Sequence, residues 1–358
     1  MLKAAKQACL RTLQAGATFE VVSRSRWRQN RLLILCYHGI AAHQQEHWNS
    51  SLFLRAEVFA ARMQALAEGG FQVLPLSEGL ARLHTNTLPE KSVVLTFDDG
   101  LYSFYQVAWP ILKQYHFPVT VYLTTYYCVY NRPIFDLICS YLLWQARDEV
   151  YDAHGLAELQ GPLDLRTKAA RARVLRQLKG WAAQQELSGI QKEELAHQFA
   201  ERLGVDYGEI RRRRLLHLMN PGEVAELAAE GVSFQLHTHR HRTPRQRELL
   251  EEELEQNHRC IAELTGSAPE HFCFPNGVWH PSHLLWLREW GVQSATTCEP
   301  GLAARTANPW LLPRVVDHSD LDPVEFEGWL SGLSGFDPRW LWRQRRSPRS
   351  LLPELRGS

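Results

Sequence analysis

Thr96-Phe97-Asp98-Asp99-Gly100 closes an apolar run, Val93-Val94-Leu95, in a chain of 358 residues. Two adjacent carboxylates set directly after a strand and before a glycine are poorly explained by folding alone. Side chains alternate along a strand, so the two aspartates face opposite ways and take separate tasks. One suits a cation, the other a hydrogen bond to water or substrate. The competing reading is an Asp-Asp-Gly hairpin turn. A second cluster, His237-Thr238-His239-Arg240-His241, follows another apolar run, Val232 to Leu236. The His-x-x-x-His spacing predicts two imidazoles one helical turn apart on one face, which suits a metal, with His239 as bystander. Its competing reading is a polar loop rich in histidine. In one parallel barrel both clusters share the C-terminal edge, where active sites gather. One carboxylate and two imidazoles then leave a metal an open position for water.

The elements that must position these residues follow from periodicity. From residue 32 onward, short apolar runs alternate with helical patterns, which predicts βα units and a parallel sheet. Strands are predicted at Leu32–Cys36, Phe71–Val73, Val93–Phe97, Val119–Leu123, Val232–Leu236, Phe272–Phe274, Val292–Ala295 and Arg314–Val316. Amphipathic helices such as Phe59–Glu68, Pro221–Ala229 and Arg245–Leu264 lie between several of them. So many repeats suit one α/β barrel better than the two small domains that length also allows. No strand signal occurs between Leu123 and Val232. Segment 131–217 is read as a helical insertion within a barrel spanning 32–330, either a lid or partner surface, or a decoration. Its run Arg211 to Arg214 reads as a solvated face.

Residues 1–31 read as an amphipathic helix followed by a basic collar of Arg24, Arg26, Arg28 and Arg31. The helix either docks on the barrel or lies on an anionic membrane. Residues 331–358 form a basic, tryptophan-bearing tail, read either as a polar tail anchored on the barrel or as a segment binding an anionic lipid surface or a nucleic acid. A net charge of +1 argues against a dedicated nucleic-acid binder, so nucleic acid is not an expected partner. With 45% hydrophobic and 22% charged residues, the composition is that of a globular protein. Seven scattered cysteines without a CxxC pair indicate neither a disulfide framework nor a thiolate zinc site. Lys6 and Arg11 interrupt the apolar stretch a signal peptide needs. The expected location is cytoplasmic, with peripheral contact to the inner membrane surface as the secondary reading.

The motifs together resemble the polysaccharide deacetylases that share the NodB homology domain. Thr96-Phe97-Asp98-Asp99-Gly100 matches the first motif of that family, and His237-Thr238-His239-Arg240-His241 matches the second. Phe272-Cys273-Phe274-Pro275-Asn276-Gly277 is similar to the third. Leu35-Cys36-Tyr37-His38-Gly39-Ile40 is similar to the Tyr-His segment of members acting on poly-N-acetylglucosamine. The resemblance implies a distorted parallel (β/α) barrel with fewer than eight strands and a divalent metal held by Asp99, His237 and His241. Zn2+ is the expected ion, with Co2+, Ni2+ and Mn2+ also compatible with the ligand set.

By the same resemblance Asp98 is the general base, and the general acid is His38 or His318, with His38 preferred. Two departures stand out. The usual Leu-x-His motif has no clean match, and Cys273 occupies the place of an arginine that normally pairs with the catalytic aspartate. Loss of that cation raises the aspartate's pKa unless another replaces it, and Arg314 is the candidate. The expected activity is hydrolysis of the acetamide of an N-acetylated amino sugar in a polysaccharide, glycolipid or precursor. A phosphoester hydrolase and a non-catalytic carbohydrate-binding partner are the alternatives. Trp279, just after the third motif, is a candidate for lining the glycan cleft.

Overall fold

The computed structural model describes residues 2–152, 155–159 and 162–336. The tail from residue 337 onward, including Arg339 to Arg346, lies outside the described residues. Nine strands form one curled, predominantly parallel sheet. They are β1 (Arg31–Tyr37), β2 (Gln72–Val73), β3 (Ser92–Asp99), β4 (Thr120–Leu123), β5 (Ser233–Leu236), β6 (His271–Cys273), β7 (Ser294–Thr296), β8 (Ala303–Ala304) and β9 (Val315–Val316). The spatial order is β7-β6-β5-β4-β3-β1-β8, with β9 also on β1 and β2 on β3. All pairs are parallel except β1 with β8. The count exceeds the fewer than eight that the family resemblance implies, because β2, β8 and β9 are two-residue stubs.

Helices cover the sheet, so its strands are buried on both faces, and β1 and β3 therefore read as unbroken apolar runs. The sheet ends at β7 on one side and, beyond β1, at β8 and β9 on the other. One segment spans the gap. Leu312 N–H donates to the Ala295 carbonyl of β7 and the Leu312 carbonyl accepts from Thr297 N–H, and three residues further on Val315 and Val316 pair with Leu35 and Cys36 of β1. Arg314 sits inside this closing seam.

Segment 131–217 contains helices Phe135–Gln145, Lys168–Gln184, Gly189–Arg202 and Tyr207–Arg212. They surround an apolar core that includes Ile138, Leu142, Leu178 and Phe199 and is joined by Phe53 and Leu101 from outside the segment. The segment also holds an antiparallel hairpin, Val150–Asp152 with Pro162–Asp164, where no strand is expected. Three-residue strands with exposed ends carry too few alternations to register as a pattern. The segment returns directly to the first motif: Tyr102 N–H donates to the His217 carbonyl at 2.8 Å, and Met219 N–H to that of Gly100 at 2.9 Å.

The helix Leu2–Ala15 packs on the helix Pro323–Ser331, where Leu10 joins Phe19 and Val324 and Lys6 Nζ lies 3.1 Å from Glu325. Arg28 of the collar is fully buried and donates to the carbonyls of Arg31, Ser92 and Leu330. Among the described residues, no helix is long and apolar enough to cross a membrane.

Two buried histidines outside the sheet's C-terminal edge link stability to pH. Burial pushes His271 down to about 4; its ring is held between Ser77 and Ser294 at 2.9 Å. Burial does the same to His217. The unfolded chain then binds protons between about 6.5 and 4 that the folded chain refuses, so stability rises with pH across that window. Asp317, raised to about 6 by burial against the opposing Arg62, acts in the other direction and is one group against two. Calorimetry should show Tm falling by several degrees from pH 6.5 to pH 4. H271Q should flatten that slope; an unchanged slope removes His271 from the account.

Candidate metal and catalytic site

Asp98 and Asp99 end β3, and their carboxylates have different partners. Both Asp98 oxygens are held by the Arg314 guanidinium, at 2.7 and 2.6 Å. Arg314 is fully buried and also donates to the Thr96 hydroxyl, the Thr297 carbonyl and the Cys273 sulfur. The cation missing at Cys273 is thus supplied from the closing seam. Burial alone pushes the Asp98 carboxyl up, but Arg314 outweighs it and holds the group well below the usual carboxylate range. The Cys273 and Cys36 thiols lie 3.4 and 3.5 Å from Asp98 Oδ2, and burial pushes both thiols up.

Asp99 leaves the strand with φ 70°, and Gly100 follows with φ 84°. A Cβ on Gly100 would meet Leu123 at 2.4 Å, so the turn requires glycine. The Asp99 Oδ1 comes within 3.3 Å of His237 Nε2 and 3.1 Å of His241 Nε2. The two histidines do not share a helical turn as their spacing predicts. Residues 237–241 form a loop, and Thr238 and His241 have φ 62° and 55°. Left-handed residues swing both rings onto Asp99. His239 turns away, bonding Thr125 through Nδ1, and burial followed by Arg240 lowers it to about 4.

The loop is held from behind. Asn257 accepts from His237 N–H and donates to the Leu123 carbonyl and Thr125 hydroxyl. Glu253, fully buried, accepts from Arg240 and Arg242. Sequence reasoning missed both, although both fall on the apolar stripe of Leu250, Leu254 and Ile261, a visible anomaly.

His237 Nδ1 lies 2.9 Å from the Cys273 carbonyl, which can only accept. The ring must therefore donate there, and its neutral tautomer turns an Nε2 lone pair toward the Asp99 carboxylate. Two acceptors 3.3 Å apart need a cation or proton between them. Among the described residues, Asp99, His237 and His241 are one of three groups with donor atoms close enough to share a metal. The others, Cys36-His38-Asp98 and Asp98-His237-Cys273, depend on an aspartate already committed to Arg314 and on protonated thiols. The first group fits a divalent ion best.

His38 follows β1 with its Nε2 3.8 Å from Asp98 Oδ2, and 20% of its side chain is exposed. His318 lies two residues beyond Val316, which is in register with Cys36, so it leaves the same sheet edge as His38. Trp279 packs half-buried on the barrel core.

Parallel strands that present a carboxylate and two imidazoles at their C-terminal edge define a barrel hydrolase-type site. The sequence model described as polysaccharide deacetylase matches residues 85–154 and 186–295, half of the chain, and the chain belongs to that family. Over 94 residues, 26% of its length, it is 36% identical to the YxkH protein of Bacillus subtilis (strain 168), covering 32% of that protein. Over 96 residues it is 32% identical to the poly-beta-1,6-N-acetyl-D-glucosamine N-deacetylase of Escherichia coli (strain K12), covering 26% of this chain and 14% of that one. The chain thus spans a third or less of these relatives. Among solved structures, the Streptococcus pyogenes deacetylase PplD in complex with acetate matches with a TM-score of 0.56 at 18% identity, over 86% of this chain and 99% of that one. IcaB from Ammonifex degensii matches with 0.55 at 18% identity, over 84% and 97%. At such identities the likeness concerns the fold.

Replacing the seam arginine should expose what it does. In R314Q, burial of Asp98 is no longer offset, so its pKa should rise and an acid limb should move to higher pH in the kcat/KM profile. The loss at neutral pH should be on the order of 10²-fold or more. R314K should retain part of the activity, and a profile identical to wild type would disprove the pairing.

Proposed function

We propose that this protein is a metal-dependent N-deacetylase that hydrolyses the acetamide of an N-acetylated amino sugar in a polysaccharide, glycolipid or precursor. The observation that carries the reading is the convergence of Asp99 with two imidazole Nε2 atoms beside a second, arginine-held carboxylate. The name of the Escherichia coli relative favours a poly-N-acetylglucosamine type of glycan.

Asp99, His237 and His241 would hold the ion, for which Zn2+ suits the nitrogen and oxygen donors. When bound, such an ion polarises the acetamide carbonyl and brings the pKa of a water to about 7. Asp98 accepts the proton of the attacking water. Arg314 keeps Asp98 ionised and fixes its plane, so its free lone pairs are oriented before substrate arrives. His38, partly exposed and beside Asp98, donates the proton that the departing amine nitrogen requires. His241, with 19% of its side chain exposed, marks the open side of the site. The departure that favours a non-catalytic role, Cys273 in place of arginine, is offset by Arg314.

Metal stoichiometry and acetate release test this reading together. Wild type should carry about one equivalent of zinc or a similar ion, and H237A/H241A none. D98N should keep the metal while acetate release from N-acetylglucosamine oligomers falls by roughly 10²–10⁴-fold. Absence of metal from reconstituted wild type, or full activity in D98N, would sink the mechanism.

A further inference from the structure

A cavity of about 300 Å3 lies between the insertion and the histidine loop, at the small end of the ~300–1,000 Å3 typical of ligand sites. Arg240 and Arg242, which flank His241 in sequence, form one wall; Arg132 and Lys192 of the insertion form another. Among the described residues, the one carboxylate on the lining is Glu193, 3.2 Å from Arg132. Behind the wall, Glu253 serves both Arg240 and Arg242, at 3.1 and 2.7 Å, and Glu252 lies 3.9 Å from Arg240, so with Glu193 three carboxylates face the four cations. Nearby Asp136 is paired with Lys179, and Lys192 has no carboxylate partner among the described residues. Positive charge is left over.

Three further features act in the same sense. The helix Gly189–Arg202 begins at the cavity, with Ser188 and Gly189 on the lining, so its positive end faces inward. Tyr207, 5% exposed, lines the cavity, and its hydroxyl has no hydrogen-bond partner. Tyr126 stands edge-on to His239 at 5.6 Å and donates its N–H to the His239 carbonyl, tying the cavity to the loop that carries His237 and His241. Aromatic walls beside guanidinium groups suit a sugar ring carrying an anion.

We propose that this cavity binds an anionic group, phosphoryl or carboxylate, borne by the glycan next to the acetamido sugar being hydrolysed. The identity of that sugar rests on the deacetylase reading; the anion site does not. The substrate class is then an N-acetylglucosamine-containing glycan that carries anionic groups along its chain, or a phosphorylated sugar precursor, in preference to the unsubstituted homopolymer.

The test is calorimetry on metal-loaded protein with three probes: N-acetylglucosamine 1-phosphate, a glucuronate–N-acetylglucosamine disaccharide, and neutral di-N-acetylchitobiose. At least one anionic probe should bind ten-fold or more tightly than the neutral one, and high salt should weaken it. The preference should vanish in R132Q/K192Q and weaken in the single variant K192E, both with wild-type Tm. Preference for the phosphate or for the uronate identifies the group. Equal binding of all three probes would overturn the proposal, as would a preference that survives in R132Q/K192Q, which would place the anion on the metal. Acetate release is read in parallel. Anion-selective binding without acetate from any probe keeps the cavity and discards the deacetylase reading; acetate release without anion preference does the reverse.

Discussion

The Asp98–Arg314 pair is the interaction on which the site depends. Both groups are withdrawn from water, at a cost of several kcal/mol per ion that is offset only when geometry and additional hydrogen bonds are good. Here they are. The guanidinium meets both carboxylate oxygens and spends its remaining donors on Thr96, Thr297 and the Cys273 sulfur. Those partners belong to β3, β6 and the end of β7, while Arg314 itself comes from the segment leading to β9. One cation therefore fastens four parts of the barrel at their common edge. Removing either charge would leave the other buried alone.

From this constraint follows the local division of labour. A carboxylate occupied by arginine is a poor metal ligand, which leaves Asp99 to meet His237 and His241. Asp99 reaches them only because the chain turns left-handed immediately after the ladder ends. Thr238 and His241 adopt the same rare conformation, and none of the three is glycine. Such conformations cost on the order of 1–3 kcal/mol each and persist where surrounding contacts enforce them. Asn257 and Glu253 supply that enforcement from the helix behind the loop. The His237 ring is oriented in turn by the Cys273 carbonyl, so a residue that looks like a lost arginine still shapes the site through its backbone.

Much of the barrel was legible because buried parallel strands are continuous apolar runs, and because both motifs directly follow such runs. The eight strands expected from Leu32 to Val316 all appear, with ends shifted by a residue or two. What stayed illegible has physical causes. A His-x-x-x-His spacing fits a helical turn, and nothing in the residue types announces that Thr238 and His241 take positive φ. Arg314 could be named as the candidate cation for Asp98, but the closure that brings together positions 216 residues apart, and its further bonds to Thr297 and Cys273, could not be read from the residue types. Val150–Asp152 and Pro162–Asp164 are too short for alternation to show. Glu253 and Asn257 were the readable signal left unread: a carboxylate and an amide on a stripe that should be apolar.

The insertion enters and leaves at one place, since Pro133 and His217 are bridged to each other, and the chain beyond is stitched to Gly100 and Tyr102. A segment whose ends already touch imposes no span on its host. Its length can change without stretching the barrel, while its apolar core, which also takes in Phe53 and Leu101, keeps it seated. Because its exit point is hydrogen-bonded to the turn after Asp99, however, any replacement must reproduce that last stitch. The insertion is thus tied to the turn after Asp99 through backbone at Gly100, Tyr102 and His217, and through side chains where Trp48 meets Ser140 and Tyr141, so its exit and its packing face are the parts a replacement must reproduce.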